Sequence, residues 1–192
     1  MTERRDNDRL PPLCLEQMNE AQRKAAEELI AGPRKGVKGP FIPLLRSPEL
    51  LARMQKVGEY LRFQSALSTR INEFVTLIVA REWTQEFEWF VHLPLAAKAG
   101  ASAETLTALA DGGRPPAMAE DEAVAYDFTT ELVARRGVCD ATYARALATF
   151  GEQGLIDLVG LIGYFTAISM VLNVAHTPPE TSTGEPIARF PR

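Results

Sequence analysis

Along most of the chain, apolar residues return every three or four positions, the spacing of one face of an α-helix. Leu50, Leu51, Met54, Val57 and Leu61 keep that spacing. They predict a helix over about 48–63 that is capped by Ser47, started by Pro48 and buries these five side chains. A helix from about Cys14 to Ile30 precedes it and is stopped by Gly32-Pro33. Between the two, "KGVKGPFIPLLRSPEL" is dense in glycine and proline and reads as an ordered irregular segment. Ser68 is the expected cap of "TRINEFVTLIVAREW", and Thr84 that of a helix running to Gly100. "SAETLTALADGG" gives a short helix closed by a glycine pair. "PPAMAEDEAVAYDFTTELVARRG" gives an amphipathic helix to about Arg136. "DATYARALATFG" and "LIDLVGLIGYFTAISMVLNVA" supply two more, the last ended by Pro178-Pro179. No segment alternates with period two between turn signals, so the predicted fold class is all-α. Helices joined by a sharp turn near Thr84 should form an antiparallel hairpin.

The same pattern bounds the organisation. Residues 1–12 are polar, end in Pro11-Pro12 and read as a flexible arm. Residues 13–176 form one domain, and 177–192 an extended or mobile tail. The run "LVGLIGYFTAISMVL", Leu158 to Leu172, carries no charge and has Asp157 at its start. At 15 residues it is shorter than the ~20 that span a bilayer, so it reads as a core or subunit-interface helix. Its apolar residues occupy more than one helical face, and Gly160, Gly163 and Ala167 would let another helix approach closely. A homo-oligomer is therefore expected.

Charge and cysteine content then remove several functions. The net charge is −4, which gives no broad attraction to phosphate backbones or anionic lipid, so neither nucleic acid nor membrane is an expected partner. The N-terminus has no apolar stretch of the secretory kind, and a cytoplasmic location is the default expectation. The two cysteines, Cys14 and Cys139, stand 125 positions apart in no metal-binding or redox spacing and read as ordinary reduced thiols.

Candidate chemistry concentrates in "TQEFEWFVHLPLAAKAG", Thr84 to Gly100. On a helix, Gln85, Glu88 and His92 fall within an arc of roughly 60°. Phe87, Trp89, Phe90, Val91, Leu93 and Leu95 crowd the remaining circumference, so the polar stripe should be at least partly enclosed. Glu88 and His92, at i and i+4, can touch; the carboxylate would orient the imidazole and favour its charged form, the usual way of holding a general acid or base. A surface ion pair has the same spacing. Glu73 is a second carboxylate that could approach the Gln85 end of the hairpin if the register allowed it, or could simply favour the positive end of the helix dipole. A metal is not expected, because His176, the other histidine, lies beyond the last helix. Trp89 and Tyr164 are candidate pocket residues, although such aromatics more often serve packing alone.

These residues resemble the carboxymuconolactone decarboxylase family, which includes the alkylhydroperoxidase D-like proteins. The peroxidase branch carries a glutamate, eleven residues, a cysteine, two residues, a cysteine, three residues and a histidine. Here the same ladder reads Glu73, Gln85, Glu88, His92, with every spacing kept and both cysteines replaced. "FEWFVH" followed by "AAKAGAS" is similar to the longer, cysteine-free members, and the likeness runs over roughly residues 38 to 174. Phe87 stands where tyrosine is frequent, and the terminal extensions have no counterpart in the short decarboxylases. The resemblance implies an alkylhydroperoxidase D-like helical protomer, assembled as a trimer or hexamer, with a site near subunit contacts. It further implies a cofactor-free lyase or isomerase acting on a small carboxylated lactone or related ring acid, as in aromatic catabolism. Its catalytic residues would be His92, Glu88 and Glu73, with Gln85, Trp89 and Tyr164 binding substrate. The alternative is a non-enzymatic oligomer of the same fold that binds a small ligand. Thiol peroxidase chemistry is not expected, because it needs a low-pKa thiolate and a resolving partner, which Gln85 and Glu88 cannot supply.

Overall fold

A computed structural model describes residues 8–32, 34–179 and 187. Among these there are helices and no strand. After a 3-10 turn at Leu15–Gln17 come α1 (Glu20–Ala31), α2 (Phe41–Leu44), α3 (Pro48–Phe63), α4 (Thr69–Glu82), α5 (Glu86–Lys98), α6 (Ala103–Ala110), α7 (Glu120–Arg135) and α8 (Asp140–Ala175).

α4 forms the centre. Every residue from Ile71 to Arg81 is buried, because α5, α7 and α8 all pack against it. Its start is fixed by Ser68, whose hydroxyl accepts the Ile71 N–H at 3.3 Å. Trp83 to Gln85 turn the chain, and α5 returns antiparallel as expected. The turn differs in detail. Thr84 takes a left-handed conformation, φ 47°, and the cap is Gln85, whose Oε1 accepts the Phe87 N–H at 2.7 Å. A threonine at positive φ cannot also serve as an extended N-cap, so the role passes one residue on.

The other departures have equally local causes. The helix expected from Cys14 is split, because Asn19 and Gln22 form a reciprocal cap that restarts the chain at Glu20. The segment read as irregular contains the single turn α2. The two helices expected over 140–175 form one run broken at Gly151, where φ is 67° and ψ 178°. In α3, Leu51 and Leu61 are buried, whereas Leu50 and Val57 are 47% and 49% exposed, against expectation. Only one stripe of α3 meets α8 and α4, and these two side chains lie beyond it.

Both ends of the chain carry ties that composition does not suggest. The Arg9 N–H donates to the Ala175 carbonyl at 2.8 Å, and Arg46 donates to the carbonyls of Leu10 and Pro11, so residues 9–11 of the expected arm are fastened to the end of α8 and to the turn after α2. Ile187, in the expected tail, is 6% exposed and packs in the core. Residues 1–7, 180–186 and 188–192 lie outside the described residues, so most of the arm and tail do too.

Candidate acid-base site

The hairpin brings together residues that the chain keeps 19 positions apart. Glu73 is in the second turn of α4, and His92 in the second turn of α5. His92 Nδ1 is 2.5 Å from Glu73 Oε2, and its Nε2 is 3.4 Å from Glu88 Oε2. The ring stands edge-on to Phe165 of α8, centroids 5.0 Å apart and planes at 84°. All three polar groups are buried. The short contact makes Nδ1–H the donor to Glu73, which fixes the tautomer and leaves Nε2 on the Glu88 side.

Burial is the largest single influence on His92 and lowers its pKa. The hydrogen bonds and charges of Glu73 and Glu88 together outweigh it, so the pKa lies above the ordinary 6.5. The two carboxylates, one at each ring nitrogen, thus favour the charged form of the ring. These grip opposite nitrogens, so they cannot converge on one ion; among the described residues no group of three His, Cys, Asp or Glu side chains has a metal-binding arrangement.

Glu88 and His92 sit in the wall of a cavity of about 350 Å³. α8 contributes Tyr164, Phe165 and Ile168, and the segment before α3 contributes Arg34, Lys38 and Phe41. Arg62 and Phe63 come from the end of α3, and Phe87 and Val91 from α5. Two glycines make this wall. A Cβ on Gly58 would lie 2.2 Å from Tyr164 Oη, and one on Gly39, at φ +51°, would lie 2.2 Å from the Phe87 ring. Burial, ahead of all other causes, pushes the Tyr164 pKa up to about 12, so its hydroxyl keeps its proton and can donate.

The residues singled out from the sequence divide accordingly. Glu88, His92 and Tyr164 line the cavity; Glu73 is behind His92 and outside the lining. Gln85 does not meet Glu73. Twelve positions separate the two, which at ~1.5 Å of helical rise per residue is about 18 Å. Gln85 instead caps α5 and donates from Nε2 to Asn173 Oδ1 at 2.8 Å. Trp89 is buried in the core, outside the lining. Arg34, Lys38 and Arg62 were not foreseen, because they lie in or beside loops where no periodicity marks a shared face. Cys14 and Cys139 are exposed, and neither lines the cavity.

No family model and no curated protein matches the chain. Among solved structures, it is similar to a protein of unknown function from Agrobacterium tumefaciens, provisionally named as an antioxidant defence protein AhpD. The TM-score is 0.66 at 15% identity, over 76% of this chain and all of that one. The chain has the AhpD-like all-helical fold.

Proposed function

We propose that the protein is a cofactor-free acid-base enzyme, a carboxy-lyase or isomerase acting on a small carboxylated lactone or related ring acid. One observation carries the reading: a histidine faced at both ring nitrogens by carboxylates, Glu73 and Glu88, in the wall of a cavity with no thiol in its lining. The antioxidant role suggested for the Agrobacterium protein is not transferred, because reduction of a peroxide by a thiol needs a cysteine at the site.

In this reading His92 Nε2–H is the deliverable proton. Loss of carbon dioxide from a vinylogous ring acid breaks the carbon–carboxylate bond and leaves its electron pair in a dienolate. The dienolate carbon takes the Nε2 proton, giving product and neutral His92. Glu88, on the cavity side, favours recharging of the ring from solvent. Glu73 is a positioning residue that holds Nδ1, and Tyr164 donates a hydrogen bond to the dienolate oxygen. Gln85 and Trp89, also expected at the site, would act only by supporting α5.

The test is product analysis on a panel of unsaturated lactone and ring acids, with released carbon dioxide measured for wild type and His92→Gln. We expect the variant to lose about 10²-fold or more in turnover while keeping its helical content. A near-native rate would assign His92 to structure alone, and a ligand bound by wild type but returned unchanged would favour a binding protein.

The reading includes a homo-oligomer, trimer or hexamer, located in the cytoplasm. Ile156, Val159, Met170 and Val174 form an exposed apolar stripe along α8, with Gly160 and Gly163 on the same face. Phe63 and Val91, which line the cavity, are 61% and 40% exposed, which supports a site close to a subunit contact.

A further inference from the structure

The cavity holds more positive charge than its own walls neutralise. Arg34, Lys38 and Arg62 line it, against one carboxylate, Glu88, which already faces His92. Arg34 Nε and Nη2 are shielded from solvent and have no hydrogen-bond partner, and neither has Arg62 Nε. Among the described residues neither guanidinium forms an ion pair; Glu59 and Glu88 act on Arg34 only at a distance. Each instead lies over an aromatic ring, Arg34 over Phe41 at 5.0 Å and Arg62 over Phe63 at 5.1 Å. The ring faces help hold both groups in place. A guanidinium cannot shed its proton to escape burial, so a desolvated, unpaired one is costly unless an anion completes it. Nε and Nη2 lie on one edge of the Arg34 fork, the edge that receives both oxygens of a carboxylate.

We infer that Arg34 and Arg62 form an anion subsite that receives the carboxylate of an apolar or aromatic acid, its body lying between the cavity's phenylalanines and its far end directed at His92. The rings on which the arginines stack, with Phe165 and Ile168, supply the apolar body's contacts. The inference rests on the acid-base reading only in placing the reacting end at His92. It also narrows the chemistry. A carboxylate clasped by guanidinium is stabilised against loss as carbon dioxide, so the group held here anchors the substrate and is retained in the product.

The experiment is calorimetric titration of the full chain with phenylacetate, its neutral amide phenylacetamide, and inorganic phosphate. Phenylacetate should bind at least about tenfold more tightly than the amide, because a charge-assisted pair with a guanidinium is stronger than a neutral hydrogen bond. Phosphate, which has no apolar body, should not displace it at equal concentration. Arg34→Met and Arg62→Met, which keep the ring contacts without the charge, should each shrink the preference, and the double variant should abolish it. Both variants should melt no lower than wild type without ligand, because each removes an unpaired charge. The inference fails if acid and amide bind equally, if the acid does not bind at about 10 mM, if phosphate competes as well as the acid, if the double variant keeps the preference, or if the single variants melt well below wild type. His92→Gln separates the two readings: it should keep the acid preference whatever it does to turnover.

Discussion

His92 is clasped at both nitrogens, and this makes its protonation a measurable part of the fold. Its pKa is raised above the ordinary 6.5, so the stability it contributes is fully present below pH 6.5 and is lost as pH rises through the higher, folded value. Urea melts of wild type and His92→Gln should therefore differ most at and below pH 6.5, and the gap should close in alkaline buffer. A gap that widens with pH would mean the imidazole is held neutral. Glu73 is predicted to act through the ring. Glu73→Gln removes the charge and leaves only a weaker, neutral acceptor for Nδ1–H, and both the charge and the strong hydrogen bond raise the His92 pKa, so the alkaline limb of the pH-rate profile should move to lower pH. An unshifted limb, with only the rate reduced, would leave Glu73 a purely packing role.

Among the elements, the joint between the α3–α4 connection and α8 depends on one side chain. Asp157 is 6% exposed; its Oδ2 accepts the Ala66 N–H at 2.8 Å, and its Oδ1 accepts the Tyr60 hydroxyl at 3.0 Å. These bonds set where α3 ends and α4 begins, and so where Arg62 and Glu73 stand relative to α8. Asp157→Ala strands the Ala66 N–H while the Tyr60 hydroxyl turns to water. We expect a loss of about 2 kcal/mol in chemical denaturation. A change below about 0.5 kcal/mol would show that water replaces the carboxylate without cost.

At the level of the whole molecule, α8 carries an exposed apolar stripe, and α3, which packs against α8, exposes Leu50 and Val57. An apolar stripe of this kind is one that monomers seldom leave in water. Light scattering should return a multiple of the 21.2 kDa protomer mass, and Val159→Glu should lower that multiple by placing a charge in the interface. A mass of one protomer for wild type over a wide concentration range would refute the oligomer. The stripe lies on α8, which by length and composition could cross a membrane; half of its most apolar window is buried inside the protomer, as in a core helix.

The sequence by itself determined most of the helices, the hairpin and the polar residues on it, because these follow from local spacing: 3.6-residue periodicity, the cap at Ser68, the start of α3 at Pro48, where Ser47 stands at the cap position without a capping hydrogen bond, and breakers at Gly100 and Pro178. It also placed Glu88 beside His92, since i and i+4 are neighbours on any helix. Details set by one residue's backbone were less legible. Composition favours Thr84 as the cap, and its positive φ gives that place to Gln85. Only the tertiary structure decided which carboxylate grips His92 more closely. The register of α4 against α5 comes from packing, and it put Glu73, not Glu88, at 2.5 Å. The same holds for the cavity's other half. Arg34, Phe41 and Arg62 come from a loop, a single helical turn and the last turn of α3. No periodic signal joins such residues, because their meeting depends on long-range packing, such as that of α2 and α3 against α8.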